Sequence, residues 1–246
     1  MKYFVYADET NPKAVVAAKG LISCAEHELE ENDMIVVLGG DGTMIRAIHE
    51  LYKLNLPFYG VNYGHLGFLL NEPPDIPTFF VEYPLHLLKV FYKNSWGSGV
   101  KMAVNDVWVE RATPQTARMQ VSIDNKSVLP NIYADGLLVC TPQGSTAYAR
   151  AMGGTPLPLD SDTFQLVGSN VSYPTFKSAV IGSRQLIEIK PYEKNKRPIN
   201  LYADGKLVAE EVTEVSIFKH PAYSVTLRFK VGLNLADKIS AVQFPQ

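Results

Sequence analysis

The sequence predicts an α/β N-terminal domain, an open parallel sheet with crossover helices, joined to a β-rich C-terminal domain. Three observations carry that reading. The first part of the chain alternates apolar, β-branched runs with longer helical patterns. A cluster of prolines, Pro73, Pro74, Pro77 and Pro84, then interrupts both kinds of pattern. Beyond it come short β-rich runs separated by Gly, Pro, Asn, Asp and Ser. The boundary so implied divides the chain into residues 1–80 and 81–246.

Taken in order, Lys2 to Ala7 reads as a strand and Pro12 to Glu31 as a helix, with apolar positions at Val15, Val16, Ala18, Leu21, Ile22, Ala25 and Leu29. Met34 to Leu38 is a buried strand, which completes a β-α-β unit. A second helix is expected over Thr43 to Leu54; Pro57 stops the pattern and Phe58 to Asn62 gives a third strand, followed by Gly64-His65-Leu66-Gly67-Phe68. Ligands of such sheets bind at the carboxyl ends of the strands. In the second part, strands are expected within Leu85 to Tyr92, Val100 to Val104, Val107 to Arg111, Arg118 to Ile123, Leu137 to Cys140, Gln185 to Ile189 and Tyr223 to Phe229. Only Ser145 to Met152 reads there as a helix, and the chain carries no fixed-period repeat or low-complexity segment.

Composition narrows the function. The 246 residues, 46% hydrophobic and 20% charged, are enough for one large or two modest folded domains. A formal net charge of -2 and the lack of a Lys/Arg-rich stretch argue against a nucleic-acid partner. No apolar run approaches the roughly 20 residues of a membrane span. Met1 to Ala7 lacks the features of a signal peptide. Cys24 and Cys140 match neither a disulfide framework nor a zinc spacing, and a reducing cytoplasm is expected.

The most informative segment is Gly39-Gly40-Asp41-Gly42-Thr43, where a strand stops and a helix starts. Glycines beside Asp41 remove the Cβ atoms that would hold a phosphate chain away, and the helix start points N–H groups into the same space. A tight turn that merely needs glycine is the plainer alternative. Asn105-Asp106 places an amide beside a carboxylate at the end of an apolar strand, a pair able to bind an adenine edge and ribose hydroxyls or simply to form an Asx turn. Asp135-Gly136 precedes the strand Leu137 to Cys140, and Thr141-Pro142-Gln143-Gly144-Ser145-Thr146-Ala147-Tyr148 gives a second anion-friendly turn or a capped helix. Asp204-Gly205 reads as a hairpin turn. The glycine-lysine phosphate loop, the dinucleotide fingerprint and the protein-kinase catalytic loop are absent. His27 and His49 are each followed by glutamate, but neither has a second histidine four residues on, so the spacing gives no metal cage.

Together these segments resemble the NAD kinase family. The resemblance rests on Gly39 to Thr43, Gly64 to Leu69, Asn105-Asp106, and most specifically on Asp135 to Val139 running through Thr141-Pro142 into Gly144 to Tyr148 and then Gly153-Gly154. It implies transfer of the ATP γ-phosphoryl group to the 2′-hydroxyl of the adenosine ribose of NAD, with Mg²⁺ or another divalent ion accompanying ATP. In that scheme Asp41 accepts the ribose proton, organises magnesium, or does both. Gly39, Gly40 and Thr43 hold phosphate, with Gly42 beside the substrate. Asn105 and Asp106 hold the NAD adenosine, Phe68, Thr146, Ala147 and Tyr148 form the adenine pocket, and Asp135 lies on the nicotinamide side. A neighbouring subunit often completes the site in this family, which implies a homodimer or homotetramer.

The chain departs from the family pattern in places. Asp106 stands where glutamate is frequent, and Cys140 and Ala151 stand where serine is usual. The histidine-proline pattern expected after the double glycine is not recognisable in Leu157 to Ser183. That divergence motivates an alternative, a non-catalytic NAD or NADP sensor. A lipid kinase would share the Gly39 to Thr43 turn but not the Gly144 to Tyr148 stretch.

Overall fold

The computed structural model describes residues 2–65, 67–73 and 76–244. Met1, Leu66 of the second glycine segment and Pro74 of the proline cluster lie outside the described residues. In chain order the elements begin with β1 (Tyr3–Ala7), α1 (Pro12–Lys19), β2 (Met34–Gly39), α2 (Asp41–Leu51), β3 (Phe58–Asn62), β4 (Phe80–Asn94) and β5 (Gly97–Ala103). There follow β6 (Asp106–Arg111), β7 (Ala117–Ile123), β8 (Lys126–Ala134), β9 (Gly136–Cys140), α3 (Tyr148–Ala151), β10 (Thr163–Ser169) and β11 (Ser178–Gly182). The last are β12 (Ile187–Pro191), β13 (Ile199–Ala203), β14 (Lys206–Ala209), β15 (Glu214–Lys230) and α4 (Leu235–Gln243).

The chain divides into two compact units, Met1–Leu85 with Ala222–Gln246, and His86–Pro221. The sequence placed one boundary at 80/81. The observed divisions fall inside β4 and β15, and the last stretch of the chain joins the first unit because β15 enters its sheet. There β1, β2 and β3 are parallel neighbours, and β15 lies parallel to β3 with Leu227 opposite Phe58. All six residues of β2 and all five of β3 are buried, as expected of central parallel strands.

Two helices differ from the sequence reading. α1 ends at Lys19 rather than Glu31, with Gly20 as its cap. The residues beyond it instead serve the edge of β1: Ser23 Oγ accepts the Val5 N–H at 3.0 Å, and the Cys24 N–H donates to the Tyr3 carbonyl at 3.1 Å. An edge strand's unpaired backbone groups outcompete helix continuation here. α2 begins at Asp41, two residues earlier than expected, and buries Thr43, Met44, Ala47, Ile48 and Leu51 at helical spacing.

In the second unit a six-stranded sheet runs β11-β10-β9-β6-β13-β14. The nine-stranded sheet that holds β1, β2 and β3 also contributes β7, β8, β12, the first part of β15 and the β4–β5 hairpin. One apolar core joins the two, including Val107 and Val109 of β6, Val121 of β7, Leu137 and Val139 of β9, Phe164 of β10 and Ile217 of β15. The helix expected over Ser145 to Met152 is broken: Gln143–Thr146 forms a 3-10 turn, Ala147 leaves helical geometry with ψ -126°, and α3 keeps four residues.

Candidate functional site

In the first unit, β2 ends at Gly39, Gly40 caps α2 in an extended conformation, and Asp41 is the first helical residue. A Cβ on Gly42 would meet nothing within 4 Å, so the space beside Asp41 is open. The Asp41 carboxylate is fixed: Oδ2 accepts the Phe68 N–H at 2.9 Å and Oδ1 the Leu69 N–H at 2.8 Å. The two glycine segments are thereby tied together, and Phe68 is buried in this unit. Thr43 is differently engaged. Its hydroxyl donates to Asp8 Oδ2 at 3.0 Å and accepts from Arg46 at 3.3 Å, while its N–H donates to the Gly40 carbonyl at 2.9 Å.

In the second unit, Asn105-Asp106 is held by a residue that the sequence reading took only as a turn. Asp204 and Gly205 join β13 to β14 with φ values of 44° and 78°, the two-residue hairpin geometry. From that turn the Asp204 carboxylate accepts three successive backbone N–H groups, those of Val104 at 2.6 Å, Asn105 at 2.7 Å and Asp106 at 3.0 Å. The carbonyls are also engaged. Thr141 Oγ1 donates to Val104 O and Asn105 O, and Gln143 Nε2 donates to Val104 O at 2.7 Å. Gly144 packs so closely that a Cβ there would lie 2.1 Å from the Asn105 carbonyl oxygen. An alanine would have to displace backbone, which explains glycine at this position.

With the backbone of 104–106 engaged, the two side chains are left available. Asn105 Oδ1 is buried and accepts no hydrogen bond among the described residues. Asp106 is 3% exposed, and burial, with the Asp204 charge second, pushes its carboxyl from 3.8 up to about 7. Burial, and then the Asp106 charge, likewise pushes the Cys140 thiol up. An unpartnered amide oxygen beside a reluctant carboxylate is costly for folding alone and suits a ligand that donates to both.

The raised Asp106 pKa makes stability depend on pH. The folded state holds this proton between about pH 4 and pH 7 while the unfolded chain has released it, so stability falls as pH rises through that window. Asp106→Asn removes the cost of a buried charge. It is expected to be more stable than the natural chain at about pH 8 by on the order of 2–4 kcal/mol, with the advantage shrinking toward pH 4. Urea unfolding at several pH values checks this, and a pH-independent difference would refute it.

Asp135 joins two elements: its carboxylate pairs with Arg111 Nε at 2.6 Å and accepts from Asn170 Nδ2 at 2.8 Å. Asn170 belongs to the divergent 157–183 segment, which supplies β10 and β11. Of the expected adenine-pocket residues in this unit, Thr146 is half-buried, and its hydroxyl donates to Gln143 O at 3.3 Å. Ala147 and Tyr148 are exposed. Tyr148 packs edge-on against Trp108, which stacks on Tyr202 at 4.9 Å. Burial, then the charges of Glu110 and Asp106, raises the Tyr148 pKa. Ser145, expected to line the turn, faces inward and accepts the Leu157 N–H at 2.7 Å.

A family model of the ATP-NAD kinase N-terminal domain matches residues 8–79, and one of the C-terminal domain matches 104–228. The NAD kinase of Zymomonas mobilis subsp. mobilis is 34% identical over 248 residues, spanning 95% of this chain and 94% of that protein. That of Brucella suis biovar 1 is 32% identical over 240 residues, spanning 94% and 93%. The solved structure of an NAD kinase from Archaeoglobus fulgidus in complex with ATP has a TM-score of 0.75 and 25% identity, covering 99% of both chains. Yeast NADH kinase complexed with NADH shares the fold, with a TM-score of 0.78 and 19% identity over all of this chain and 88% of that one. The chain carries a glycine-aspartate turn at the end of parallel strand β2 and a β-rich unit with an unpartnered Asn105 amide oxygen, and the two family models that match it both describe a nucleotide kinase. The chain belongs to the NAD kinase family and is an enzyme of that family.

Proposed function

We propose that the protein transfers the γ-phosphoryl group of ATP to the 2′-hydroxyl of the adenosine ribose of NAD, making NADP. The observation that carries this reading is the presentation of Asn105 and Asp106: a backbone bonded on both edges, with the buried Asn105 amide oxygen and the buried Asp106 carboxyl left for a ligand. Nucleoside hydroxyls and amino groups are donors of the required kind. Asp41, fixed at the start of α2, accepts the proton of the 2′-hydroxyl through lone pairs that its two N–H partners leave over. The 2′-oxygen forms a bond to the γ-phosphorus, the bond from that phosphorus to the β,γ-bridging oxygen breaks, and ADP leaves. Such transfer needs mainly alignment and charge neutralisation, so one positioned carboxylate and the helix N-terminus are adequate protein contributions.

In this reading Gly40 and Gly42 give the phosphates room, while Gly39 makes room for the Thr43 side chain, whose Oγ1 lies 2.6 Å from where a Cβ would stand. Thr43 contributes by fixing the turn through Asp8 and Arg46. Thr146, Ala147 and Tyr148 are assigned to adenine, as the family resemblance also assigns Phe68, and Asp135 with Arg111 lies toward the nicotinamide. Among the described residues no group of three His, Cys, Asp or Glu side chains could hold a metal ion. A divalent ion is read as one carried by the ATP phosphates, with Asp41 as its candidate partner; bound, it would neutralise phosphate charge. A homodimer or homotetramer in the cytoplasm completes the proposal and rests on the family.

The test is formation of NADP from NAD with ATP and magnesium, read by a coupled NADP-specific dehydrogenase. NADP made in step with ADP supports the reaction. A folded chain that binds NAD but makes no NADP with ATP would overturn it in favour of a sensor.

A further inference from the structure

The turn that holds Asp41 is itself held by the last helix, outside both stretches that match the family models. Lys238 of α4 donates from Nζ to the Gly67 carbonyl at 2.7 Å and to the Leu70 carbonyl at 2.6 Å. Residues 67–70 form one turn, closed by the Leu70 N–H on the Gly67 carbonyl at 3.1 Å. Its N–H groups at Phe68 and Leu69 go to Asp41, while its outer carbonyls go to Lys238. A carboxylate and an ammonium thus grip the same four residues. Gly67, at φ 59°, leaves no slack: a Cβ there would lie 2.4 Å from Asn62 Cγ.

Lys238 is half-buried and lies 5.7 Å from the centre of the Phe229 ring. The charged groups that face it are Asp41 on α2 and Glu72 after β3. Lys230 on β15 also reaches this corner, donating to the Glu72 carbonyl at 2.8 Å. Burial lowers the Lys238 pKa, and the Asp41 and Glu72 charges oppose that effect. The two short hydrogen bonds to carbonyls are stronger from the ammonium than from a neutral amine, whose N–H groups are fewer and weaker donors.

We propose that Lys238 is a positioning residue for the reaction: it fixes the 67–70 turn and through it sets the orientation and electrostatic environment of Asp41. The proposal rests on Asp41 as the base. A surface helix near the end of the chain is then part of the machinery of the phosphate turn, joined to it by two hydrogen bonds.

The test compares the natural enzyme with Lys238→Met, Lys238→Arg and Asp41→Asn, measuring thermal unfolding together with kcat and KM for NAD. Lys238→Met is expected to lose roughly 10- to 100-fold in kcat, the scale on which small misplacement of a catalytic group acts, with KM for NAD within about twofold. Lys238→Arg, which keeps charge and donors, should restore most of the lost kcat. If Lys238→Met does not fold, Lys238→Gln, a shorter uncharged donor, serves in its place. Natural kcat in a folded variant would overturn the proposal, as would a loss wholly accounted for by lower stability. A loss in Asp41→Asn without one in Lys238→Met removes the role of Lys238 alone. Full turnover by Asp41→Asn removes the base and this inference with it.

Discussion

Asp41→Asn is expected to lower NADP formation by roughly 10²-fold or more, because the proton of the attacking hydroxyl loses its acceptor. The substitution is nearly isosteric, yet it does more than remove a base. Each Asp41 oxygen accepts a backbone N–H, from Phe68 and from Leu69. An asparagine can satisfy only one of them, and its own NH₂ group then faces the other donor. That mismatch should cost about 1–3 kcal/mol of local stability, the usual scale for a part-buried donor left without an acceptor. Turnover and thermal unfolding therefore need to be measured on the same preparation. A folded Asp41→Asn enzyme with natural turnover would show that the carboxylate serves only to hold the 67–70 turn. A large loss of turnover with a small loss of stability would show that it acts on the substrate.

The Asp41 turn was legible in the sequence because every part of it is local. A buried strand, a glycine bend and a helix with an apolar stripe follow one another within residues 34–54, and the structure places them as β2, Gly40 and α2. Long-range competition was not legible. Nothing within Pro12 to Glu31 shows that β1 will claim Ser23 and Cys24, so the expected helix runs past Lys19. Strands of mixed pattern were missed for a related reason. β8 carries Pro130 and exposed polar residues, β10 carries Gly168, and β13 and β14 are short, so each is specified by its neighbours more than by its own sequence. Asn105-Asp106 stood out as a pair, but what holds it did not. Its partner carboxylate lies 98 to 100 residues further along, in a dipeptide whose local reading as a hairpin turn is correct and incomplete. The usable signal was an aspartate at a turn that any Asn-Gly could have made, since its carboxylate is not needed for the bend.

Asp204→Ala should show how much depends on that carboxylate. Three N–H groups at 2.6 to 3.0 Å from a charged acceptor are stronger bonds than neutral ones, and two of the three belong to the buried residues Val104 and Asp106. Removing the acceptor strands them, and water replaces it poorly there. An expected cost is roughly 3–5 kcal/mol of stability, below the simple sum because the bonds share one group and the segment can relax. The KM for NAD should rise by about 10-fold or more, because the backbone that aims Asn105 and Asp106 is no longer fixed. Asp204→Asn gives the sharper comparison. Its amide oxygen can keep the bonds to Asn105 and Asp106, which now share Oδ1, while its NH₂ meets the Val104 N–H. It also removes the charge that helps hold the Asp106 carboxyl near 7, leaving burial to act alone. The pH at which Asp106 ionises should therefore fall in Asp204→Asn, visible as a downward shift in the pH window over which stability declines. An unshifted window would mean that burial alone sets the Asp106 pKa. A stability loss in Asp204→Ala of under about 1 kcal/mol would mean that Thr141, Gln143 and Gly144 hold the segment without the clamp.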